Sequence, residues 1–260
     1  MKRMIDDINR YKEYIFHATK STLKNEVAGS YLGWQWWVLD PLLFMIVYTV
    51  VVRFIFGSGG PDFPVFVFIG LSAWKFFDKS VISSVKIVRS YKAIIEKVYV
   101  PKYVLILVNL FVNLVKMLIS FLLVLVLMYF FQITYSPLIL FFIPITMVLF
   151  VVTFAVCVIS AHIGVFIVDF GNVLTVFLRL AFYLSGVLYS IGDRLPQPLA
   201  TIMYHINPVS VAMTEYRNVI MYSQFPSWYY LSYWLIIGVV LSIIFVKIMY
   251  KYENTYVKVI

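Results

Sequence analysis

Long apolar stretches, most of them of about eighteen residues or more, constrain this chain more strongly than any other feature of its sequence. A bilayer is crossed either by helices of about 20 apolar residues or by barrel strands in which apolar and polar residues alternate. The stretches here do not alternate. Charged residues make up 13% of the chain, whereas a soluble domain carries about 25%. We therefore expect an all-α membrane protein.

The apolar stretches predict six transmembrane helices. Trp34, Trp36 and Trp37 open the first, where amphipathic rings would meet the lipid headgroups. The second is short enough to be tilted or partly broken. The predicted spans are 33–56, 63–77, 104–131, 138–163, 173–190 and 228–248.

The basic residues predict the orientation. The formal net charge is +9, but the lysines and arginines flank the spans and do not form the clustered soluble face that a nucleic-acid partner would need. They concentrate in segments 1–30 and 79–103 and in the C-terminal tail, whereas the loops on the other side contain only Arg194 and Arg217. Positive charge marks the cytoplasmic side, so both termini are predicted to be cytoplasmic. Six spans satisfy this arrangement and five would not.

The first 25 residues form a charged amphipathic segment. Met4, Ile8, Tyr11 and Ile15 recur at helical spacing on one face, and basic residues surround this stripe. Two interpretations stay open. The helix lies in the membrane interface with its basic groups at anionic headgroups, or it packs on a partner protein.

A second amphipathic helix is predicted within the charged connection 79–103. Pro101 would end it. Its apolar stripe consists of Ile87, Tyr91, Ile94, Ile95 and Val98.

The segment 191–227 differs from a simple loop. Pro196 and Pro198 interrupt it, and Asn207 followed by Pro208 is a good helix start, with asparagine as N-cap and proline at the first helical position. The residues that follow are too few to span a membrane and too apolar to be solvated. We expect short re-entrant helices on the external side.

Signatures of covalent chemistry are absent from the sequence. It contains neither a phosphate-cradling G-x-x-x-x-G-K-[ST] loop nor an H-E-x-x-H motif. The three histidines are too scattered to suggest a metal site, and the single cysteine, Cys157, can form no internal disulfide. We therefore expect a protein that is not an enzyme and that binds no metal or cofactor in this chain.

Two cations fall inside predicted spans. A charge in the hydrocarbon costs at least about 2.5 kcal/mol, so such residues usually face a bundle interior or a cavity. Lys116 would either form a structural ion pair, or snorkel, or contact a substrate. Arg179 would either pair with Asp169 or contact a substrate.

Aromatic residues make up 19% of the chain. Their faces can stack on sugar rings, or they can face lipid and pack the bundle. The candidates for a glycan path lie in or next to spans one, two and five, and they are Tyr48, Trp74, Phe76, Phe77, Phe177, Phe182, Tyr183 and Tyr189.

The order of these features resembles the permease subunits of ABC-2-type polysaccharide exporters, which move O-antigen or wall teichoic acid across the bacterial inner membrane. The resemblance covers nearly the whole chain. Residues 93–102 follow one family segment with Val100 in place of the usual aromatic residue, and Ser190 stands where many members have proline. The other positions that match family motifs are Lys24, Tyr31, Leu32, Gly33, Trp34, Asp40, Pro41, Leu42, Leu43, Asn207 and Pro208.

The resemblance implies a half-transporter with the ABC-2 exporter fold. Two permeases would form a homodimer and work with two copies of an ABC ATPase, which would bind ATP and Mg²⁺. The helix at about 85–99 would be the coupling helix seated in a cleft of that ATPase. Its contact residues would be Lys86, Arg89, Lys92, Glu96 and Lys97.

The implied substrate is an undecaprenyl-diphosphate-linked glycan. Its polymer would thread between the permeases while its lipid stays among the membrane lipids. Lys20, Lys24 and Arg179 would meet the diphosphate at the cytoplasmic entrance. The external gate would involve Pro196, Pro198, Asn207 and Pro208.

Three other readings compete with glycan export. An ABC-2 exporter of a drug, an antibiotic or another lipid-like molecule shares the six-span plan, but it usually lacks the amphipathic start and the high aromatic content. A membrane-embedded enzyme such as an acyltransferase would need a cluster of His or acidic residues at the membrane face. A structural or assembly protein without a transport role is the third.

Overall fold

The computed structural model describes residues 2–29, 31–55, 57, 59–92 and 99–259, and within these ranges every regular element is helical. The prediction of an all-α fold is thus confirmed. A 3-10 turn leads into α2 (Gly33–Gln35) and another into α5 (Pro137–Phe141), and a π-helical turn follows α2 (Val51–Ile55). The α-helices are α1 (Lys2–Ala28), α2 (Trp36–Val50), α3 (Phe63–Ser90), α4 (Lys102–Phe130), α5 (Phe142–Phe166), α6 (Phe170–Leu184), α7 (Ile191–Arg194), α8 (Gln197–Ile206), α9 (Pro208–Ile220), α10 (Trp228–Lys251) and α11 (Glu253–Val259).

Among the described residues, four helical stretches are long and apolar enough to cross a membrane. The apolar helix α6 is shorter, and α3 carries Lys75, Asp78 and Lys79 near its middle. For these two helices, spanning stays a prediction. The four stretches are Gly33–Ile55, Lys102–Phe130, Pro137–Phe166 and Trp228–Lys251.

Two helix boundaries differ from the predicted spans. Helix α3 continues past residue 77 to Ser90, so the second span and the start of the charged connection form one unbroken helix. Helix α6 ends at Leu184 and not at residue 190. The reason is Gly186, which has a φ of 74°, a left-handed conformation that ends helices and that glycine adopts without strain.

The core lies where α3 crosses α5. Val85 of α3 packs directly over Gly164 of α5, and a Cβ atom added to this glycine would lie 2.3 Å from the carbonyl oxygen of Val85. The first half of α3 is buried from Pro64 to Trp74. Helix α9 is inserted between other helices: Tyr216 is fully buried and donates to or accepts from the hydroxyl of Thr146 at 2.8 Å.

The two termini meet at one end of the bundle, which we call the α1 end. Tyr250 of α10 hydrogen-bonds to Asp7, and Glu253 of α11 pairs with Lys102 at 3.2 Å. The apolar stripe of α1 packs against the core of its own chain, with Ile15 buried. The stripe thus faces the chain's own core, and the position of α1 at the membrane interface or on a partner protein stays a prediction.

The segment 191–227 lies at the opposite end, which we call the α9 end. The predicted helix start at Asn207 is confirmed, because its side-chain oxygen accepts hydrogen bonds from the backbone N–H groups of Val209 and Ser210. Its amide nitrogen donates to Ser185 Oγ at 2.7 Å and so ties α9 to the end of α6. Pro196 precedes the first residue of α8.

We predict that Gly164→Ala destabilises the protein by about 1–3 kcal/mol, because the new methyl group must displace the backbone of α3. A lower melting temperature of the detergent-solubilised protein would show this. The matched control is Gly171→Ala, whose Cβ atom would meet Val85 at an ordinary 3.7 Å. Equal melting temperatures for the two variants would contradict the prediction.

Candidate functional site

A groove of about 450 Å³ opens between α2, α3 and α6. Its charged side chains come from all three helices, and its aromatic wall lies beside them. Leu71 and Leu178 complete the lining. The charged and aromatic residues are Asp40, Lys75, Asp78, Lys79, Arg179, Phe44, Tyr48, Trp74, Phe182 and Tyr183.

An ion pair divides this groove from a second cavity. The ammonium group of Lys75 lies 2.5 Å from Asp40 and 4.7 Å from the ring centre of Phe44. Lys79 also borders both spaces. The pair thus connects α2 to α3 at the floor of the groove.

The aromatic wall is a cluster around Phe182. Its ring centre lies 6.0 Å from that of Tyr48, 5.7 Å from that of Trp74 and 5.1 Å from that of Tyr183. Trp74 is 6% exposed, whereas Tyr183 is 61% exposed. Trp74 therefore supports the wall from behind, and Tyr183 presents its ring to whatever occupies the groove.

The other predicted path residues lie outside this groove. Phe76 borders the second cavity, and Phe77 is buried behind Trp74 with ring centres 5.8 Å apart. Phe177 is exposed on α6, and Tyr189 lines a third cavity at the α9 end. The structure thus brings together half of the predicted set.

The second cavity, of about 360 Å³, lies between α2, α3 and α4. Lys116 lines it and pairs with Glu26 at 2.6 Å, 5.8 Å from the ring centre of Trp37. Of the alternatives for Lys116, the structural ion pair is the one observed.

The three predicted entrance cations do not converge. Lys20 and Lys24 are exposed on α1 and line neither cavity, whereas Arg179 lines the groove. Arg179 forms no ion pair with Asp169, since ten residues of helix separate them by about 15 Å. Its acidic neighbour is Asp78, within electrostatic reach across the groove. Sequence reasoning missed Lys75 and Lys79, which lie in the continuous helix α3 beyond its most apolar part.

Two of the predicted coupling residues, Lys86 and Arg89, lie at the α1 end of α3. Lys86 is exposed, and Arg89 donates to the carbonyl oxygen of Val165 at 2.8 Å, so it holds the end of α5. Lys92 is exposed as well, and Glu96 and Lys97 lie outside the described residues.

Arg217 of α9 is the functional candidate that sequence analysis counted only as a loop charge. It is 4% exposed, and its guanidinium group lies 3.4 Å from the ring centre of Phe66. It donates to three backbone carbonyl groups, those of Phe66 at 3.2 Å, Gly186 at 2.8 Å and Val187 at 2.9 Å. One side chain thus joins α3, the break after α6 and α9.

Two glycines make room for this guanidinium group. A Cβ atom on Gly70 would lie 2.6 Å from its Nη2 atom, and Gly186 supplies the left-handed turn that exposes the accepting carbonyls. Burial lowers the pKa of Arg217, and the carbonyl oxygens compensate its charge. The signal available in the sequence was an arginine inside a short apolar helix.

Curated relatives cover almost the whole chain. An O-antigen export system permease protein RfbA from Myxococcus xanthus is 28% identical over 226 residues, 87% of this chain and 87% of that protein. A permease of the same name from Klebsiella pneumoniae is 25% identical over 243 residues, 93% of each. No protein-family model matches the chain. The relatives confirm the resemblance to ABC-2-type polysaccharide-export permeases.

We predict that Arg217→Ala lowers the free energy of unfolding by at least about 2 kcal/mol, because it leaves buried carbonyl groups without donors. Melting of the purified protein in detergent measures the effect. Arg194→Ala, at an exposed position of α7, is the control and should change stability by less than about 0.5 kcal/mol. If both variants have the same melting temperature, the buried guanidinium group does not stabilise the fold.

Proposed function

We propose that this chain, an ABC-2-type permease similar to O-antigen export permeases over nearly its whole length, is the membrane-spanning subunit of an ATP-driven polysaccharide exporter. The substrate is a glycan linked through a diphosphate to a polyprenyl lipid such as undecaprenol, as in O-antigen or wall teichoic acid. It moves from the cytoplasmic to the external face of the bacterial inner membrane.

The single observation that carries the proposal is the placement of charge. Arg179 lies about 14 Å along α6 from its first residue, and Lys75 and Asp78 lie near the middle of α3. All three border a groove that is open to the outside of the monomer. Charged groups at this depth are too costly to face lipid. This face therefore meets water, substrate or a second protein.

A second copy of the chain suits this face. Helix α2 buries only Pro41 and Met45 of its residues, and α6 buries only Leu178. Both helices leave apolar side chains exposed beside the charged groove. Two copies with their grooves facing one another would enclose a path lined by Tyr48, Phe182 and Tyr183.

The groove matches the chemistry of a lipid-linked glycan. Tyr183 and Tyr48 offer rings for stacking on sugars, and Phe182 holds both in place. Below them, Lys75, Lys79 and Arg179 outnumber the carboxylates of Asp40 and Asp78. This net positive charge favours an anion such as the diphosphate.

Energy for transport comes from ATP and Mg²⁺ bound by two separate ATPase subunits. The contact is the last part of α3, which carries Lys86, together with the residues that follow it, including Lys92. Arg89 connects the end of α3 to the end of α5, and α3 continues without interruption into the groove. A displacement at the ATPase contact would therefore reach the charged residues of the groove directly.

We predict that Tyr183→Leu reduces polysaccharide export at least about tenfold while the protein level is unchanged, because a face available for sugar stacking is lost. Surface polysaccharide, measured in cells that carry only the variant, is the readout. The control is Tyr129→Leu, an exposed tyrosine of α4 that lies outside the groove. Equal losses from both variants would contradict a glycan path in the groove.

We also predict that Arg179→Lys reduces export more than Lys20→Arg, although both variants keep their charge. Arginine presents a planar fork suited to phosphate, and lysine only a mobile point charge. The control tests whether Arg179 acts only through its acidic neighbour: Asp78→Arg combined with Arg179→Asp keeps that pair but moves the cation. Normal export by the double variant would make Arg179 structural and would refute its phosphate role.

A further inference from the structure

A third cavity, of about 290 Å³, lies at the α9 end. It is separate from the groove and shares no lining residue with it. Four elements surround it: the α2–α3 loop, the first turn of α3, the segment from Leu188 to Arg194, and the end of α9. The topology predicted from the basic residues puts its mouth on the external side.

The lining combines aromatic rings with carboxylates. Phe63 and Phe66 stack with ring centres 6.1 Å apart and form the apolar floor, beneath which the buried guanidinium group of Arg217 lies against Phe66. Tyr189 and Tyr222 add two phenol groups. Asp62, Asp193 and Arg194 supply the charged groups.

The carboxylates are not consumed by the fold. Asp62 stands at the N-cap position of α3, yet its side chain makes no capping hydrogen bond. Within the described part of the chain, neither Asp62 nor Asp193 forms an ion pair within 4 Å. Both line the same cavity as Tyr222 and act on its hydroxyl through their charge. These two carboxylates are hydrogen-bond acceptors that the fold does not use, so they are available to a ligand in the cavity.

The phenol of Tyr222 is a hydrogen-bond donor at any physiological pH. Burial raises its pKa, the positive charge of Arg217 lowers it, and the carboxylates of Asp193 and Asp62 raise it further. The Tyr222 hydroxyl therefore stays protonated. The cavity therefore combines a donor with acceptors above one apolar floor.

We propose that this cavity binds a sugar residue of the exported chain, with Asp62 and Asp193 accepting hydrogen bonds from its hydroxyl groups and the ring of Tyr222 or Tyr189 packing on its C–H face. The proposal rests on the proposed function and adds an external subsite to the path. A carbohydrate is the ligand class that needs both features at once, since it presents vicinal hydroxyl donors and an apolar ring face. A phosphate would be repelled by the two carboxylates.

The subsite also borders the gate region. Tyr222 is the second residue after α9, and Leu188 and Tyr189 follow the carbonyl groups to which Arg217 donates. A sugar bound here would touch both sides of the Arg217 connection. Binding of a sugar in the cavity is thereby linked to the arrangement of the helices at the α9 end.

The test uses photo-crosslinking in cells that make the polysaccharide. A photoreactive benzoyl-phenylalanine replaces Tyr222 in the full-length protein, and after irradiation the permease is purified and blotted for attached glycan. Position 183 in the groove serves as the positive reference. Position 135, an exposed tyrosine in the α4–α5 loop, is the matched control away from the cavity.

We expect glycan on the permease from positions 222 and 183, and none from position 135. Adding Asp62→Asn and Asp193→Asn should lower the yield at position 222 at least about fivefold and leave that at position 183 unchanged. These two substitutions remove no capping bond or ion pair of the described structure, so folding should persist.

Four outcomes would overturn the subsite. Crosslinking at 183 but not at 222 would refute it and leave the proposed function standing. If crosslinking at position 222 is insensitive to the Asn substitutions, the glycan passes this cavity without being bound by the two carboxylates. In the variant that keeps Asp62 and Asp193, a crosslinking yield at position 222 that falls when EDTA is added would identify the two carboxylates as a divalent-cation site. Absence of glycan from both 222 and 183 would overturn the proposed path together with the subsite.

Discussion

The packing at the α9 end of the bundle is organised around the buried guanidinium group of Arg217. A cation in an apolar interior needs a partner for each of its donor groups, and intact helices offer no free carbonyl groups except in their last turn. The early end of α6, at Leu184, supplies two of these carbonyls. The third is that of Phe66 in the first turn of α3, whose oxygen has a second lone pair with which it accepts from Arg217. The break in α6, the glycine at position 70 and the buried helix α9 thus all meet at one interaction.

Helix α3 connects the features on which the proposed transport depends. It is 28 residues long, or about 42 Å, and it touches Arg217 at one end, carries the groove lysines in the middle and reaches Arg89 at the other end. The Lys75–Asp40 pair attaches α2 to this helix, and Gly164 lets α5 pack against it. A single rigid element thus relates the predicted ATPase contact, the groove and the α9 end.

The N-terminal helix α1 shows which features of a helix its sequence periodicity predicts and which it does not. Met4, Ile8, Tyr11 and Ile15 do share one face of α1, as their spacing predicts. That face lies on the chain's own core, where Tyr11 donates to the carbonyl oxygen of Tyr99 at 2.9 Å. An amphipathic pattern identifies the apolar side of a helix, but whether lipid, a partner or the same chain covers that side depends on packing of distant residues.

The sequence by itself determined the properties that depend on local composition. Apolar length predicted the membrane class and four of the long helices, and Asn207 with Pro208 predicted the start of α9, because hydropathy and capping act within a few residues. Tertiary structure alone decided which cations are structural and which line the groove. Lys116 meets Glu26 from 90 residues away, and Arg217 meets Phe66 from 151 residues away. Nothing local distinguishes these cations from Arg179, which faces the groove, since the free energy of a buried charge is set by the groups that surround it in space.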